Sequence, residues 1–427
     1  MLDNKFIIEN LDTVKKNIVN RLINADAETV ARLFNQRTKL STSLQELQQR
    51  RNANALAMKG KMDITERSAL VEEGKNLKES IAAAEAELAQ TEAELDIEAR
   101  KIPNMAHPDA PIGKGEENNR EVRQAGKARE FDFEPRDHVK LGQDLDIVDF
   151  ESGTKVSGTK FYYLKNEGVF LELGLIRYAL DILIKKGFTP YITPDIAKEE
   201  ILEGTGFNPR GPESNIYTLE GENTCLVGTS EITLGGYYSN MILPKEKLPL
   251  RLAGLSHCFR REAGAAGQFS KGLYRVHQFT KLEMFIYCLP DESERFHDEL
   301  CSIEEEIFNG LEIPYRVVDT CTGDLGAPAY RKWDLEAWMP GRGDKGDWGE
   351  ITSTSNCTDY QARRLNIRYK DEDGKNKFVH MLNGTAIAIS RAIIVILENF
   401  QQKDGSVKLP KALVPYCGFE SIERKKA

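Results

Sequence analysis

Apolar side chains recur three and four positions apart from Val30 to Asn54, at Val30, Leu33, Leu40, Leu44 and Leu47, with Arg37, Arg51 and Asn54 completing the register. A second run keeps that spacing through Leu70, Gly74, Leu77, Ile81, Ala84, Leu88, Thr91, Leu95, Glu98 and Ile102. Two heptad segments joined by Lys59-Gly60-Lys61-Met62-Asp63 predict helices that fold back on each other as an antiparallel coiled coil. At 1.5 Å per residue, helices of some 30 to 35 residues reach about 50 Å, so this part is a lever and not part of a compact core. Pro103, Pro108 and Pro111 end the second helix, and the polar stretch 113–119 marks a boundary. The expected domains are 1–112, carrying the arm at about 30–100, and 113–427.

Beyond the boundary the periodicity changes. Short helix and strand pieces run from Phe131 to Tyr163. Phe170, Leu173, Ile176, Leu180, Leu183 and Ile184 mark one face of a helix closed by Gly187. The following strand is broken by Pro190 and Pro194, which places it at a sheet edge or interface. From Leu248 to Tyr287 two strands flank a long loop, Gly264 to Gly272. Strand alternation puts Arg275, His277, Phe279, Lys281 and Glu283 on one face, with Val276, Gln278, Thr280, Leu282, Met284 and Ile286 on the other. Arg260 and Glu262 share a face of the first strand. Paired as a hairpin, these faces offer Phe279 to a flat base, Arg260 or Arg275 to a phosphate and Glu283 to an ammonium. A solvated face with cross-strand ion pairs is the plainer reading, but the loop is long enough to close over a ligand.

Three further stretches carry candidate chemistry. Thr229-Ser230-Glu231 precedes a helix-like segment and reads as its cap. Trp348 to Ser353 is a strand with Glu350 and Thr352 on one face. Leu382 to Asn399 reads as a strand, a tight turn at Gly384 and a nearly all-apolar helix holding Arg391. Burying that arginine unpaired costs several kcal/mol, so it meets either a carboxylate or an anionic ligand.

Composition narrows the class. At 427 residues the chain holds two or three domains, and with 40% hydrophobic and 29% charged residues it has the make-up of a soluble globular protein. No apolar run approaches the roughly 20 residues that cross a membrane, and Met1 to Phe6 lacks the order of a secretory signal; a cytoplasmic protein is expected. Seven cysteines without ligand spacing predict reduced, buried thiols, with neither a disulfide framework nor zinc. A net charge of −9 confines any RNA binding to a local basic surface. The arm offers one: from Val30 to Met62 there are seven bases and one acid, and from Asp63 to Arg100 four bases and eleven acids. Such segregation pairs the helices across their seam, or lays the first along a phosphate backbone. Charge alone leaves both open.

Phe259-Arg260-Arg261-Glu262-Ala263-Gly264, followed after the loop by Val276-His277-Gln278-Phe279, Lys281 and Glu283, resembles motif 2 of the class II aminoacyl-tRNA synthetases in the form of the bacterial-type seryl-tRNA synthetases. The helix and proline-containing strand before Pro194 resemble motif 1, the family's dimer interface, and Gly384 to Arg391 resembles motif 3. Thr229-x-Glu231 is similar to the family's serine-binding element, with Ser230 where Ala is frequent, and Thr352 stands where Ser is common. The likeness extends over essentially the whole chain, arm included.

It implies an α+β chain: an antiparallel two-helix coiled-coil arm, then a catalytic domain on an antiparallel sheet flanked by helices. It also implies activation of L-serine with ATP to seryl-adenylate, and transfer of serine to tRNA(Ser), and to selenocysteine tRNA where present. Serine would be held by Thr229, Glu231, Arg260, Glu283, Asn383 and Thr385. ATP would be held by Arg260, Arg261, Glu262, Arg275, Val276, Phe279, Glu350, Ile351, Thr352, Ser353 and Arg391, with Arg260 and Arg391 as the catalytic cations. Mg²⁺ would accompany ATP on Glu350 and Ser353, without zinc; adenine would lie on Phe279 opposite Arg391, its amino group on Glu262. The arm would grip tRNA, and the protein would be a homodimer. Phosphoryl transfer needs charge compensation and positioning, which fits the lack of a Ser-His-Asp or Cys-His set. Three alternatives stand beside this reading. A ligase that charges a carrier protein lacks the arm and uses a zinc-bound amine, and a related class II ligase would act on another amino acid. A catalytically inactive, synthetase-like tRNA-binding protein is disfavoured by the intact Arg260, Glu262, Glu283, Glu350 and Arg391.

Overall fold

The computed structural model describes residues 1–209, 214–263 and 269–425. They form two compact units, Met1–Met105 and Ala106–Ala427. In the first, Asp26 caps α1 (Ala27–Ala57), accepting from the backbone N–H groups of Glu28 and Thr29. Asp63 and Glu66 form a reciprocal capping box at the start of α2 (Ile64–Lys101). The heptad positions Val30, Leu33, Leu77, Ile81 and Leu95 are buried in the seam between the two helices. Charged register positions stay at its rim: Arg51 is exposed, and Arg37 pairs with Glu92 at 3.0 Å. Asn54 is buried and donates to the Leu70 carbonyl at 3.2 Å and the Glu73 carboxylate at 3.1 Å. A buried Asn in such a seam fixes register at some cost in stability. Two short helices, Asn4–Glu9 and Leu11–Asn20, bring Ile7, Val14 and Ile18 onto the base of the arm.

The second unit is built on an eight-stranded sheet. In chain order its main elements begin with β1 (Arg120–Ala125), α3 (Glu167–Lys185), β2 (Thr189–Ile192), α4 (Ser230–Gly236), β3 (Leu250–Phe259) and β4 (Gln278–Cys288). They continue with α5 (Ser293–Gly310), β5 (Tyr315–Asp319), β6 (Arg331–Met339), β7 (Asp347–Asn356), α6 (Tyr360–Leu365), β8 (His380–Ala388) and α7 (Ile389–Phe400). The strand order is β1-β5-β6-β7-β8-β4-β3-β2, antiparallel except for the β2–β3 pair at the edge. The proline-bearing strand β2 is that edge, where a missing N–H is tolerated.

From Lys281 onward β4 is buried on both faces, which fits its apolar run over 284–288. Leu282, Met284 and Ile286 join one core with Leu171 and Leu175 of α3, Phe296 and Leu300 of α5 and Ile393 to Leu397 of α7. Phe285 and Tyr287 join a second core with Met381, Leu234 and Leu365.

Three expectations are corrected. The expected face of α3 is only in part the buried one: Leu183 is buried and Ile176 and Leu180 pack against the core, but Phe170, Leu173 and Ile184 stay at least half exposed, and Leu171, Leu175, Tyr178 and Ala179 are buried instead. This helix is apolar nearly all round, so periodicity could not choose its inner side. The second hairpin strand begins at Gln278, and Arg260, Glu262, Arg275 and His277 lie beyond the strand ends, with Glu262 in the left-handed region at φ 50°. Gly384 makes no turn. It sits inside β8, where a Cβ would come within 2.9 Å of Thr354 Cγ2 and 3.2 Å of Met284 Cε. Residues 264–268 of the long loop lie outside the described residues. No helix among the described residues is long and apolar enough to cross a membrane.

Candidate active site

The site grows from β4. Its register sets Glu283 opposite Gly254 on one side and Thr385 on the other, and Lys281 opposite Ser256 and Ala388. Partners across a ladder share a face, so Glu283, Thr385 and Asn383 point the same way. A Cβ at Gly254 would lie 2.8 Å from Ser230 Oγ, and the Ser230 hydroxyl donates to the Gly254 carbonyl at 2.9 Å. The small residue thus lets the start of α4 settle on the sheet.

Thr229 caps α4 by accepting from the Glu231 N–H at 3.2 Å, while its hydroxyl donates to the Glu283 carboxylate at 3.3 Å. The Thr385 hydroxyl donates to the same carboxylate oxygen at 3.4 Å. Glu231 Oε1 accepts from Gln361 of α6 at 2.8 Å and from Asn383 at 2.9 Å. Glu283 also pairs with Lys281, and both side chains are buried.

A β-bulge decides the wall supplied by β7. Leu335 pairs with Thr352 but Glu336 pairs with Glu350, leaving Ile351 as the extra residue. The shift reverses the expected alternation. Glu350 and Ser353 share a face, and the Thr352 hydroxyl turns to the other side, donating to the fully buried Glu304 of α5 at 2.9 Å. Burial pushes the Glu304 carboxyl well above the usual range.

Arg391 enters in the first turn of α7. It donates to the Glu350 carbonyl at 2.9 Å and pairs with the Glu350 carboxylate at 3.4 Å. Its guanidinium rests on the ring of Tyr274, 4.6 Å from the centroid, whereas Phe279 carries the guanidinium of Arg260 at 5.3 Å. Arg260 donates to the Gly228 carbonyl at 3.2 Å, and Arg275 pairs with Glu262 at the same distance.

One pocket is lined by Arg260, Glu262, Arg275, Val276, Phe279, Glu350, Ile351, Thr352, Ser353, Thr385 and Arg391, together with Tyr274 and Lys281. Thr229, Glu231 and Asn383 adjoin it through their bonds around Glu283. Arg261 does not line it: its side chain is exposed, and its N–H donates to the Asn215 carbonyl at 2.9 Å.

Two carboxylates are tuned in opposite directions. Burial, then the neighbouring Glu283, pushes Glu231 up to about 7. Burial alone would also raise Glu350, but Arg391, Lys332 and Arg260 hold it below the ordinary value. Such a pocket suits a ligand with an ammonium at one end and several negative oxygens at the other. Among the described residues no group of three His, Cys, Asp or Glu is placed to hold a metal ion.

Sequence reasoning missed Lys281, Tyr274 and Gln361 as members of this site. Alternation places Lys281 beside Glu283, and that signal was available. Tyr274 precedes the strand, and Gln361 arrives on a helix with no pattern linking it to Glu231.

Comparisons with known proteins agree along the chain. A family model described as the seryl-tRNA synthetase N-terminal domain matches residues 1–106, and one described as the tRNA synthetase class II core domain (G, H, P, S and T) matches residues 217–400. A serine–tRNA ligase of Treponema denticola is 69% identical over 422 residues, 99% of this chain and 100% of the relative. One of Borreliella burgdorferi is 56% identical over 425 residues, with 100% of both chains covered. Among solved structures, the seryl-tRNA synthetase from Pyrococcus horikoshii complexed with ATP matches with a TM-score of 0.92 at 40% identity, covering 100% of both chains. The cytoplasmic serine–tRNA ligase from Naegleria fowleri in complex with AMP matches at 0.88 and 30% identity, covering 100% of this chain and 99% of that one.

The buried Lys281–Glu283 pair generates a prediction of its own. Lys281→Met leaves a carboxylate buried without its cation and is expected to lower stability in urea unfolding by about 3 to 5 kcal/mol. Adding Glu283→Gln is expected to recover most of the loss. A Lys281→Met protein as stable as the parent would show that the pair is not formed.

Proposed function

The chain belongs to the seryl-tRNA synthetase family and is an aminoacyl-tRNA ligase acting on serine, and from that premise we propose how its residues divide the work. In the first step a serine carboxylate oxygen attacks the α-phosphorus of ATP, and the bond to pyrophosphate breaks. In the second a hydroxyl of the terminal adenosine of tRNA attacks the seryl carbonyl, and AMP leaves. The observation that carries the assignment is the gathering of Thr229, Glu231, Glu283, Asn383 and Thr385 at one end of a pocket whose other end holds Arg260 and Arg391.

Glu231 and Glu283 receive the serine ammonium and hydroxyl, with Thr229, Asn383 and Thr385 holding those carboxylates in place. Arg260 takes the α-phosphate and the serine carboxylate, where negative charge grows as the new bond forms. Arg391 and Arg275 take the distal phosphates, giving up resting pairs with Glu350 and Glu262. Phe279 and Glu262 receive the adenine ring and its amino group, with Val276, Ile351 and Thr352 closing the walls. Arg261 has its exposed side chain beside the same segment and bears on the nucleotide from outside the pocket. Glu350 and Ser353, on one face of β7, form a hard-oxygen pair that fits Mg²⁺, an ion taking most of its ligands from phosphates and water. When bound it supplies positive charge to the phosphate oxygens.

Alanine leaves the pocket's buried polar groups unpaired and is rejected by about 10⁴-fold or more, while threonine is excluded by size, the weaker device. Residues 1–112 bind tRNA(Ser), and selenocysteine tRNA where the cell has it. Arg32, Lys39, Arg51, Lys59 and Lys61 support this, because none has an ion-pair partner among the described residues. Their hold on a phosphate backbone weakens steeply with salt. Phe170, Leu173, Ile184 and Ile192, apolar and exposed in the single chain, support a homodimer. The protein works in the cytoplasm.

Serine-dependent ATP–pyrophosphate exchange tests the activation site. Glu283→Ala is expected to reduce it by at least about a hundredfold, and unchanged exchange would remove Glu283 from the site. Deleting residues 30–100 is expected to spare this exchange and abolish charging of tRNA(Ser); charging at the parental rate would give the arm another task.

A further inference from the structure

The turn between β6 and β7 carries an arginine that no role above uses. Arg342 reaches back from Pro340-Gly341-Arg342-Gly343 and lays its guanidinium 5.1 Å from the Tyr274 ring centroid and 4.7 Å from that of Phe269. Tyr274 also carries Arg391 at 4.6 Å. One phenol ring thus holds two guanidiniums, an arrangement that is favourable next to negative charge.

Arg342 has one ion pair and one donor left unbonded. Its Nη1 is buried and has no hydrogen-bond partner among the described residues, and the carboxylate of Asp347 stands 3.7 Å from its Nε. A buried donor left unsatisfied is costly unless a ligand completes it. Room for the group depends on Gly349: a Cβ there would lie 2.7 Å from Arg342 Nη1 and 3.0 Å from Met339 Sδ. Glycine at 349 therefore serves packing, one residue before the proposed metal-binding Glu350.

Arg342 also borders the pocket assigned to the nucleotide. It lines a cavity of about 410 Å³ that shares Tyr274, Arg275 and Glu350 with the nucleotide pocket. Of the other acids on that wall, Glu336 pairs with Arg316 at 2.6 Å, and Asp334 and Asp324 share Lys332 at 3.2 and 4.0 Å, while Glu116 has no ion pair among the described residues. Arg342 thus keeps an unbonded donor and shares the Tyr274 ring with Arg391.

We propose that Arg342 binds the pyrophosphate end of ATP and holds the pyrophosphate as it departs, making the shared cavity its route of exit. This rests on the reading of the pocket as the site of serine activation. The guanidinium contributes a charge-assisted hydrogen bond to a terminal phosphate oxygen and takes no part in contacts to serine, the ribose or the α-phosphate.

The test uses the full chain with Arg342→Gln and Arg342→Lys. Exchange kinetics give KM for ATP and for pyrophosphate, and calorimetry gives Kd for seryl-sulfamoyl adenosine, an adenylate mimic without β- and γ-phosphates. Arg342→Gln is expected to raise both KM values by about tenfold while the mimic's Kd stays within about twofold, and Arg342→Lys to recover part of the loss. Unchanged KM values for ATP and pyrophosphate would overturn the proposal. So would an equal weakening of the mimic, which marks a general distortion. Absence of serine-dependent exchange in the parent protein would instead overturn the reading of the pocket itself.

Discussion

A charge taken into a folded interior must keep an opposite charge beside it, and that constraint shapes the catalytic unit. An inner strand of its sheet, β4, carries Lys281 and Glu283 into the interior as a pair. Around them Arg391 holds Glu350 and Arg275 holds Glu262. Each pair offsets its own charges within the fold, and each contains a group proposed to meet a charged part of the substrates. Binding then becomes an exchange of partners at nearly fixed positions, the kind of prepositioning that phosphoryl transfer needs.

The fold makes those positions reproducible because both cores press on the strands that carry them. Leu282, Met284 and Ile286 face α3, α5 and α7, while Phe285 and Tyr287 continue the face of Glu283 into a second core. Small residues set the approach: Gly254 admits α4, Gly384 admits β7 and Met284, and Gly349 admits Arg342. None of these three has a left-handed φ, so close packing and not backbone conformation demands glycine.

Much of this was legible in the chain. Heptads marked both arm helices, proline marked the edge strand, and alternation brought Phe279, Lys281 and Glu283 to one face. What escaped has physical causes. A bulge at Ile351 puts Glu350 and Thr352 on opposite faces, and Gly384, which resembles a turn, pairs regularly with Met284 just before a second irregularity between Thr385 and Ile387. Such bulges depend on the partner strand and leave no local pattern. The inner side of α3 was hidden because apolar residues surround it. Gln361, Tyr274 and Arg342 join the site through tertiary placement alone, each from an element whose own sequence advertises only a helix, a loop or a turn.

A crystal structure with seryl-sulfamoyl adenosine decides whether these separated groups converge on one bound aminoacyl-adenylate. The ligand's ammonium is expected within about 2.7 to 3.2 Å of a Glu231 or Glu283 oxygen, with Arg260 at similar distance from the sulfamoyl oxygens. A ligand seated elsewhere, or one whose seryl end lies away from both carboxylates, would contradict it.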